Sequence, residues 1–564
     1  MYIKLFYALE RLKKHENAPY IITLLIIGLI LTVLLLDTKI IGGHDSDFHI
    51  RRIFDISEAL KAGTFPVRIY VDNGHYWGQP TGIFYPSFFM YFPALLNRFG
   101  IPVGICFNLL IISTFFCGLF SSWYGFAILT NSKKIGLLSA VLYISSGYYL
   151  FDAYVRSAVG ELLSLAFMPL AFASVFCFVR KPELSVKMSC IAIFSISAVI
   201  ESHVLTGVLF LLVSSFYIIW HLAKQENTKT IMIRMTGLAV VIILINASFI
   251  IPFLVYYKNV PLTIDYVKKF TKTGWSFTII KNFLFYWNFW LLSGLFISIF
   301  YRFLPDSFTS SPKRMRYSYF AKYFLAGLFF FWLSSKYFPW HLLPVLERVF
   351  RTMQFSWRFL GFATLFFSVC SGYMLFHFLN KYIKIKPLLL YVLAFVICLT
   401  HFAGFNYFKF FPYRSWSIGK QIYWDSSHMA NRTPWRSDYD YLYNDINRKA
   451  LLRQGNRYIS DAVITNYSKN LTTISFTYQT TKPAKIILPL VNYPGYIAVD
   501  QYGNRIPLQK RDSNRMIVVP LMEKNGDIKV FYKGLPIFKV ADYISFVSIL
   551  LIVCIVIRIQ MKRE

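Results

Sequence analysis

The side chains best suited to chemistry in this sequence lie together between positions 44 and 52. Nine residues carry two carboxylates, two imidazoles and two guanidiniums: His44, Asp45, Asp47, His49, Arg51 and Arg52. In a helix that begins at Asp45, the side chains of Asp45, His49 and Arg52 share one face. That face offers a base, a proton carrier and an anion binder. The alternative interpretation is that Asp45 or Asp47 only caps the helix while the arginines contact lipid headgroups.

The residues after this cluster predict the helix that positions it. Asp45, Ser46 and Asp47 are favourable N-caps, and apolar residues recur at near-helical spacing as far as Leu60. Gly63 predicts the C-terminal stop, with Pro66 beyond it. We therefore expect a short amphipathic helix on the membrane surface, within a first external loop over residues 38–82.

The composition of the 564-residue chain indicates a polytopic membrane protein. Hydrophobic residues make up 56% of the sequence, and its mean hydropathy is +0.48. Apolar runs of about 20 residues recur along it, each long enough to cross a bilayer. The net charge of +32 accompanies no nucleic-acid-binding motif, so nucleic acid is not an expected partner. All seven cysteines lie in apolar runs without metal-ligand spacing.

Hydropathy predicts about twelve membrane spans. They are expected near residues 18–36, 101–129, 134–150, 158–179, 187–200, 204–222, 232–255, 277–301, 319–335, 356–379, 387–405 and 541–558. The first span is read as uncleaved, with a basic N-terminus inside. Alternation then places the basic loops and the tail with Lys562 and Arg563 in the cytoplasm, as the positive-inside rule requires. Both termini are thus predicted to be cytoplasmic.

The composition and the hydrophobic pattern of the sequence change between residues 406 and 540. Turn residues separate short alternating runs, and Asn525-Gly526 is a hairpin signal between the last two. The runs are Leu471–Tyr478, Lys485–Leu488, Tyr496–Asp500, Met516–Leu521 and Asp527–Tyr532. We expect a small extracytoplasmic β domain that resembles a sandwich, followed by a final transmembrane helix and a basic tail over 541–564. The expected domains are therefore 1–405 (transmembrane), 406–540 (β) and 541–564.

A second set of ionisable residues falls at the predicted outer ends of spans. Its members are Asp152, Arg156, Glu161, Glu201, His203, His341, Glu347, Arg348, Arg351 and Arg358. Charged groups near membrane depth are costly, so each one is a functional candidate. Pairing within the membrane, for instance of Arg156 with Glu161, is the structural alternative.

These residue types suit transfer from a lipid-borne phosphate. Arg52, Arg156 and Arg358 are candidate phosphate ligands, because guanidinium groups match phosphate oxygens. Glu161, His203 and His341 are candidate supporting groups. Asp45 or Asp47 would be the general base, with His49 beside it. A divalent metal remains an alternative, although only Asp45 and His49 have close ligand spacing. No other cofactor is predicted.

Several short motifs resemble those of a known superfamily. They are Asp45–His49 with Arg52, Gly63–Pro66, Tyr154–Arg156 with Glu161, His203 with Thr206, Gln354–Arg358, and Tyr493–Tyr496 with Asp500. The sequence resembles the GT-C superfamily of integral-membrane glycosyltransferases. More closely it resembles the bacterial YfhO-like proteins, which include a group named as related to 6-pyruvoyl-tetrahydropterin synthase. The resemblance implies a polyprenyl-phosphate-sugar donor and an acidic base in the first external loop, with Asp45 the first choice and Asp47 the second.

The expected protein is accordingly a mainly α, polytopic GT-C-like enzyme of the bacterial cytoplasmic membrane. It would transfer a sugar from a polyprenyl-phosphate donor, such as undecaprenyl phosphate, to an envelope acceptor such as a teichoic acid or polysaccharide. Its expected partners are this lipid-linked sugar, the acceptor polymer and the bilayer. A transporter or flippase for a lipid-linked sugar is the first alternative. A non-catalytic scaffold for envelope assembly is the second.

Overall fold

The structure of this protein is a computed structural model. It describes residues 16–37, 40–41, 43–71, 76–181, 183–224, 228–262, 311–345, 350, 353–410, 421–422, 441–510 and 515–561. The predicted span at 277–301 lies outside these residues.

Helices dominate the described part of the chain. In chain order they are α1 (Ala18–Thr32), α2 (Ser46–Lys61), α3 (Thr81–Phe84), α4 (Tyr91–Arg98), α5 (Val103–Thr130), α6 (Lys133–Ile144), α7 (Gly147–Phe151), α8 (Val159–Arg180), α9 (Val186–Ile200), α10 (Val204–Leu222), α11 (Thr228–Ile245), α12 (Ala247–Asn259), α13 (Ser311–Leu333), α14 (Phe359–Tyr382), α15 (Pro387–Phe410), α16 (Arg448–Gln454) and α17 (Pro536–Met561).

The prediction of a multi-pass membrane protein is confirmed. Among the described residues, eight helices are long and apolar enough to cross a bilayer. A ninth crossing is formed if α6 and the bent segment Gly147–Arg156 act together, with an angle of 42° between them. Two shorter apolar helices, Val186–Ile200 and Lys322–Leu333, match two further predicted spans. The predicted span 232–255 is two helices, because α11 ends at Ile245 and α12 begins at Ala247.

The chain forms two compact units. The first comprises residues 1–46, 108–236 and 266–422, and the second comprises 47–107, 237–265 and 423–564. In the first unit α9 packs on α8, α14 packs on α6 and α13, and α15 packs on α1. A two-stranded antiparallel sheet joins β1 (Ile40–Ile41) to β2 (Gln421–Ile422). The first unit thus consists mainly of apolar helices.

Helix α2 belongs almost wholly to the second unit and has the ends that its sequence predicts. It begins at Ser46, and Gly63 has a φ of +74°. The Gly63 amide donates to the Leu60 carbonyl (3.1 Å) and the Thr64 amide donates to the Ala59 carbonyl (2.9 Å). This pair of bonds is a Schellman C-cap, which requires the positive φ that glycine adopts without strain.

The prediction that this helix lies on the membrane surface is wrong. Its apolar residues Ile50, Ile53 and Ile56 are buried, but so are its polar residues Arg51 and Arg52. An interfacial helix would expose its charged face to water. Helix α2 is instead enclosed by protein on both its apolar and its charged sides.

The predicted C-terminal β region is confirmed as two antiparallel sheets in the second unit. The strands are β3 (Ile459–Ser460), β4 (Val463–Asn470), β5 (Thr473–Gln479), β6 (Ala484–Val491), β7 (Tyr496–Asp500), β8 (Arg505–Ile506), β9 (Gln509–Lys510), β10 (Met516–Leu521) and β11 (Asn525–Tyr532). One sheet has the order β3-β6-β10-β9 and the other β4-β5-β11-β7-β8. Apolar side chains of both sheets share one core, which also contains Trp77 from the first loop and Phe84 from α3.

The predicted hairpin at Asn525-Gly526 is wrong. Both residues belong to β11, where Asn525 pairs with Gln479 and Gly526 pairs with Tyr478 of β5. The preceding strand, β10, lies in the other sheet. Asn-Gly is a local turn signal, but here the pairing with a distant strand determines the conformation.

The predicted orientation can be tested by cysteine labelling of intact cells. A membrane-impermeant maleimide should label Tyr502→Cys, because Tyr502 is 78% exposed in the β domain, which is expected outside. The same reagent should not label Glu183→Cys, which lies in the exposed loop after α8 that is expected inside. Labelling of Glu183→Cys before permeabilisation would show that the orientation is the reverse. The first external loop, residues 38–82, would then lie in the cytoplasm.

Candidate active site

A buried ionic cluster occupies the first unit. The Arg156 guanidinium donates through Nη1 to Asp152 Oδ1 (2.5 Å) and to Glu161 Oε2 (2.9 Å). Arg358 Nε lies 3.4 Å from the same Glu161 oxygen, and the Tyr148 hydroxyl donates to Glu161 Oε1 (2.5 Å). All five side chains are buried. The predicted pairing of Arg156 with Glu161 is present, and Arg358 joins it.

An irregular backbone brings Asp152 and Arg156 to the cluster. The bent segment that follows α6 ends in a single π-helical turn, Asp152–Arg156, and the next residue, Ser157, has a left-handed φ of 54°. Single π turns within helices frequently occur at functional sites. The turn directs both side chains toward Glu161, which lies in the first turn of α8.

Arg358 reaches the cluster from the start of α14. It ends the short 3₁₀ helix Ser356–Arg358, and its Nη1 donates to the Met353 carbonyl (2.9 Å). Its Nη2 donates to Gln354 Oε1 (3.3 Å), and Gln354 itself has a φ of +65°. These bonds hold the guanidinium at the carboxylate of Glu161.

Asp45 is attached to the same cluster through its backbone. The Asp45 amide donates to the Arg156 carbonyl (2.7 Å), and the His44 amide donates to the Val155 carbonyl (3.1 Å). The approach is close enough to need glycine at position 43, since a Cβ there would lie 2.1 Å from Ser157 Oγ. Asp45 is half-buried, whereas His44 is exposed. The backbone of the residue that the sequence favours as base is therefore fixed against residues 155–157.

The surroundings of Asp45 alter its proton affinity. Burial raises the pKa of Asp45 above its ordinary value, while the positive charges of Arg156, His44 and Arg358 partly oppose that rise. Burial lowers the pKa of His44. A carboxylate with a raised pKa is a better proton acceptor than an ordinary aspartate, which suits general-base chemistry.

The formal charges of the buried groups cancel. Asp152 and Glu161 balance Arg156 and Arg358, so Asp45 is the additional acidic group. Among the described residues, Asp152 Oδ2 and Arg358 Nε are buried without a hydrogen-bond partner. Buried polar atoms are rarely left unpaired in native proteins. The cluster can therefore accept a further polar group, either a water molecule or part of a substrate.

The other two predicted supporting residues have different surroundings. His203 caps α10, because its Nδ1 accepts from the Thr206 amide (3.4 Å) and lies 2.8 Å from the Thr206 hydroxyl. His341 is exposed in the 3₁₀ helix Trp340–Leu342. The geometry thus gives His203 a capping role and places it near enough to Glu161 for its charge to act on that carboxylate.

Three predicted residues, Asp47, His49 and Arg52, belong to the second unit. Arg52 is 1% exposed, and its Nη2 donates to the Pro86 carbonyl (2.5 Å). Its guanidinium carbon lies 4.1 Å from the centre of the Tyr85 ring, and its Nη1 lies 3.4 Å from His49 Nδ1. Arg52 also lines a small cavity with Arg51 and Asp55, and its Nε has no hydrogen-bond partner among the described residues. Phosphate binding by Arg52 stays a prediction.

The proposed face of Asp45, His49 and Arg52 is present only in part. His49 and Arg52 meet within α2, but Asp45 precedes the first helical residue, Ser46. Asp152 was among the charges predicted at the outer ends of spans but was not predicted as a site residue, and Tyr148 was not predicted at all. The spacing of Asp152 and Arg156 by four residues was the available signal for Asp152, whereas Tyr148 carried none.

Within the described ranges, no group of three or more His, Cys, Asp or Glu side chains is arranged to hold a metal ion.

Comparison with known proteins gives weak similarities of fold. No family model and no curated protein matches the sequence. ArnT from Cupriavidus metallidurans, solved bound to undecaprenyl phosphate, aligns with a TM-score of 0.36 and 12% identity over 64% of this chain and 60% of that chain. The arabinofuranosyltransferase AftD from Mycobacteria aligns with a TM-score of 0.41 and 15% identity over 70% and 26%. The oligosaccharyltransferase AglB from Archaeoglobus fulgidus, solved with an inhibitory peptide and a dolichol-phosphate, aligns with a TM-score of 0.36 and 12% identity over 68% and 55%.

This chain spans less than two thirds of the length of each of these three proteins. All three TM-scores are below 0.5 and all identities are 15% or lower. Similarity at this level assigns neither a family nor an activity to the chain.

Proposed function

We propose that this protein is a GT-C-type glycosyltransferase that moves a sugar from a polyprenyl-phosphate donor to a cell-envelope acceptor at the outer face of the membrane. The observation that carries the proposal is the attachment of Asp45 to Arg156. The bond between the Asp45 amide and the Arg156 carbonyl holds the Asp45 backbone against the π turn, where the charges of Arg156 and Arg358 act on its carboxylate. The resemblance of the motifs around Asp45, Arg156 and Arg358 to GT-C enzymes supports the same conclusion.

The reaction is a displacement at the anomeric carbon of the donor sugar. Asp45 accepts the proton of an acceptor hydroxyl, and the freed oxygen attacks the anomeric carbon. The bond from that carbon to the phosphate oxygen breaks, and the polyprenyl phosphate leaves with the electron pair. A single displacement inverts the configuration at the anomeric carbon.

Arg156 and Arg358 stabilise the leaving phosphate in this proposal. Positive charge placed where negative charge develops lowers the barrier, and it acts more strongly where water is excluded. Arg156 already donates to two carboxylates, so its main role is to keep a positive charge close to the leaving phosphate. Arg358 Nε, which has no hydrogen-bond partner among the described residues, is the guanidinium atom best placed to donate to the phosphate.

Transfer should depend on pH through Asp45. A carboxyl with a raised pKa is protonated, and inactive as a base, up to a higher pH than an ordinary aspartate. The transfer rate should therefore increase with pH along an acid limb whose midpoint lies above the ordinary value of about 4. The variant His44→Gln should move this limb to higher pH, because the charge of His44 lowers the pKa of Asp45.

The limb is measured as the initial rate of transfer against pH in purified membranes. His377→Gln, in α14 and absent from the charges that act on Asp45, is the matched control and should leave the limb in place. A limb that stays fixed in His44→Gln would show that a group other than Asp45 titrates.

The direct test of the proposal uses the purified full chain. Polyprenyl phosphate carrying a radiolabelled sugar is supplied as donor, and label in the envelope fraction of a deletion strain is counted. Transfer of labelled sugar that occurs only when the protein is present would support the proposed glycosyltransferase activity. Movement of intact labelled lipid between leaflets, without transfer, would instead indicate a flippase.

A further inference from the structure

A strongly basic segment lies at the open edge of the β domain. Residues 448–458 contain four cationic side chains and no Asp or Glu. Of these, Lys449, Arg453 and Arg457 are exposed. Lys449 and Arg453 are four residues apart in α16, so they share one face of that helix. Asp445 and Asp461 are the acidic residues nearest along the chain. Both are exposed, and Asp445 is paired with Arg515.

Two tyrosine rings adjoin these cations. Tyr458 follows Arg457 directly, is 36% exposed, and contacts Tyr467 of β4 with the ring centres 4.6 Å apart. Strands β3 and β4 are each an edge strand of their own sheet. We call Lys449, Arg453, Arg457, Tyr458 and Tyr467 the basic aromatic surface.

Hydrogen bonds fix this surface in place. Asn456 Oδ1 accepts from Lys469 Nζ (2.7 Å), and the same ammonium donates to the Pro489 carbonyl of β6 (3.1 Å). Gln454 Nε2 donates to the Arg457 carbonyl (3.2 Å). The segment is therefore attached to strands of both sheets. A surface that is already ordered loses little conformational entropy when it binds.

We infer that the basic aromatic surface binds the acceptor and that the acceptor is an anionic glycan, a sugar polymer that carries phosphate or carboxylate groups. Guanidinium and ammonium groups pair with those anions. Tyr458, the more exposed of the two tyrosines, offers an aromatic surface for contact with the CH face of a sugar ring. This inference rests on the proposed function, because it names the class of acceptor that Asp45 would deprotonate.

Charge also distinguishes this occupant from a second copy of the chain. A twofold-symmetric contact would place the same patch against itself, so the exposed cations of two copies would face each other. Juxtaposed like charges oppose association. A polyanion is complementary to the same surface.

The test measures binding by the full chain in a non-ionic detergent, independently of transfer. The probes are alginate, which is a carboxylate-bearing glycan, dextran, which is neutral, and poly-L-glutamate, which is anionic without sugar rings. Alginate should bind most tightly, and its affinity should decrease with added salt because exposed charges are screened. The double variant Arg453→Gln/Arg457→Gln and the single variant Tyr458→Ala should each weaken alginate binding by about tenfold or more, equivalent to about 1.4 kcal/mol.

The matched control is Lys482→Gln/Lys524→Gln, which removes two exposed charges elsewhere in the β domain and should retain binding. Equal binding of alginate and poly-L-glutamate would overturn the glycan assignment, as would alginate binding that both surface variants retain. Self-association that Tyr458→Ala abolishes, or binding of short-chain phosphatidylglycerol in place of alginate, would overturn it as well.

The two proposals fail in distinguishable ways. If alginate binding depends on the basic aromatic surface but the protein has no transfer activity, the binding proposal stands and the enzyme proposal is rejected. If the double variant Arg453→Gln/Arg457→Gln transfers sugar at the normal rate, the enzyme proposal stands and the basic aromatic surface is not the acceptor site.

Discussion

Asp45→Asn should reduce sugar transfer by about 10²–10⁴-fold, the usual contribution of a general base. Asparagine preserves the size of the side chain and caps helices about as well as aspartate. The backbone bond from residue 45 to the Arg156 carbonyl does not involve the side chain and should persist. The protein should therefore fold, insert and bind donor normally. Transfer of labelled sugar is measured in membranes that contain equal amounts of each protein.

Asp47→Asn is the matched control, because it makes the same chemical change two residues away. Asp47 lies in the first turn of α2, where an acidic side chain stabilises the helix N-terminus. Its loss should have a small effect on transfer. Near-normal transfer by Asp45→Asn with none by Asp47→Asn would move the base to Asp47. Full activity in both variants would contradict the enzyme proposal.

Glu161→Gln should destabilise the protein by about 3–5 kcal/mol, which is typical when one partner of a buried ionic group is removed. Glu161 accepts from Tyr148 and Arg156 and lies 3.4 Å from Arg358 Nε. Without its charge, two buried guanidiniums would be left with one buried carboxylate, Asp152. The free energy of unfolding is measured by titration with sodium dodecyl sulfate in mixed micelles.

Glu58→Gln provides the control for this change. Glu58 pairs with Lys61 at 2.5 Å, but their side chains are 33% and 43% exposed. Exposed pairs of this kind contribute about 0–1 kcal/mol. If Glu161→Gln were no more destabilising than Glu58→Gln, the cluster would be hydrated and its charges screened. The pairing of Glu161 with the two guanidiniums would then contribute little to the stability of the protein.

The membrane spans were predictable because their signal is local. A run of apolar residues long enough to cross a bilayer identifies itself without any knowledge of its neighbours. The C-terminal end of α2 was equally predictable, since Gly63 and the residues before it contain the whole Schellman motif. Strands β7 and β10 have the bounds that alternation and turn residues indicated.

The elements that were missed depend on partners far along the chain. Strand β4, Val463–Asn470, has polar and exposed residues along most of its length and is held by pairing with β5. Asn525-Gly526 pairs with β5 rather than forming a turn. In both segments, hydrogen bonds between strands outweigh local preference, which is typical of β structure.

The candidate site shows the same division. The sequence by itself determined which residue types could do chemistry, because Asp45, Arg156, Glu161 and Arg358 are charges that apolar surroundings make costly. Only the tertiary structure decided which of them meet. The π turn at Asp152–Arg156 and the amide bond from Asp45 connect segments more than a hundred residues apart in the chain. The same long-range packing brought Arg52 to Tyr85 and Pro86. Local sequence specifies a side chain's chemistry, whereas its partners are set by contacts that form only when distant segments pack together.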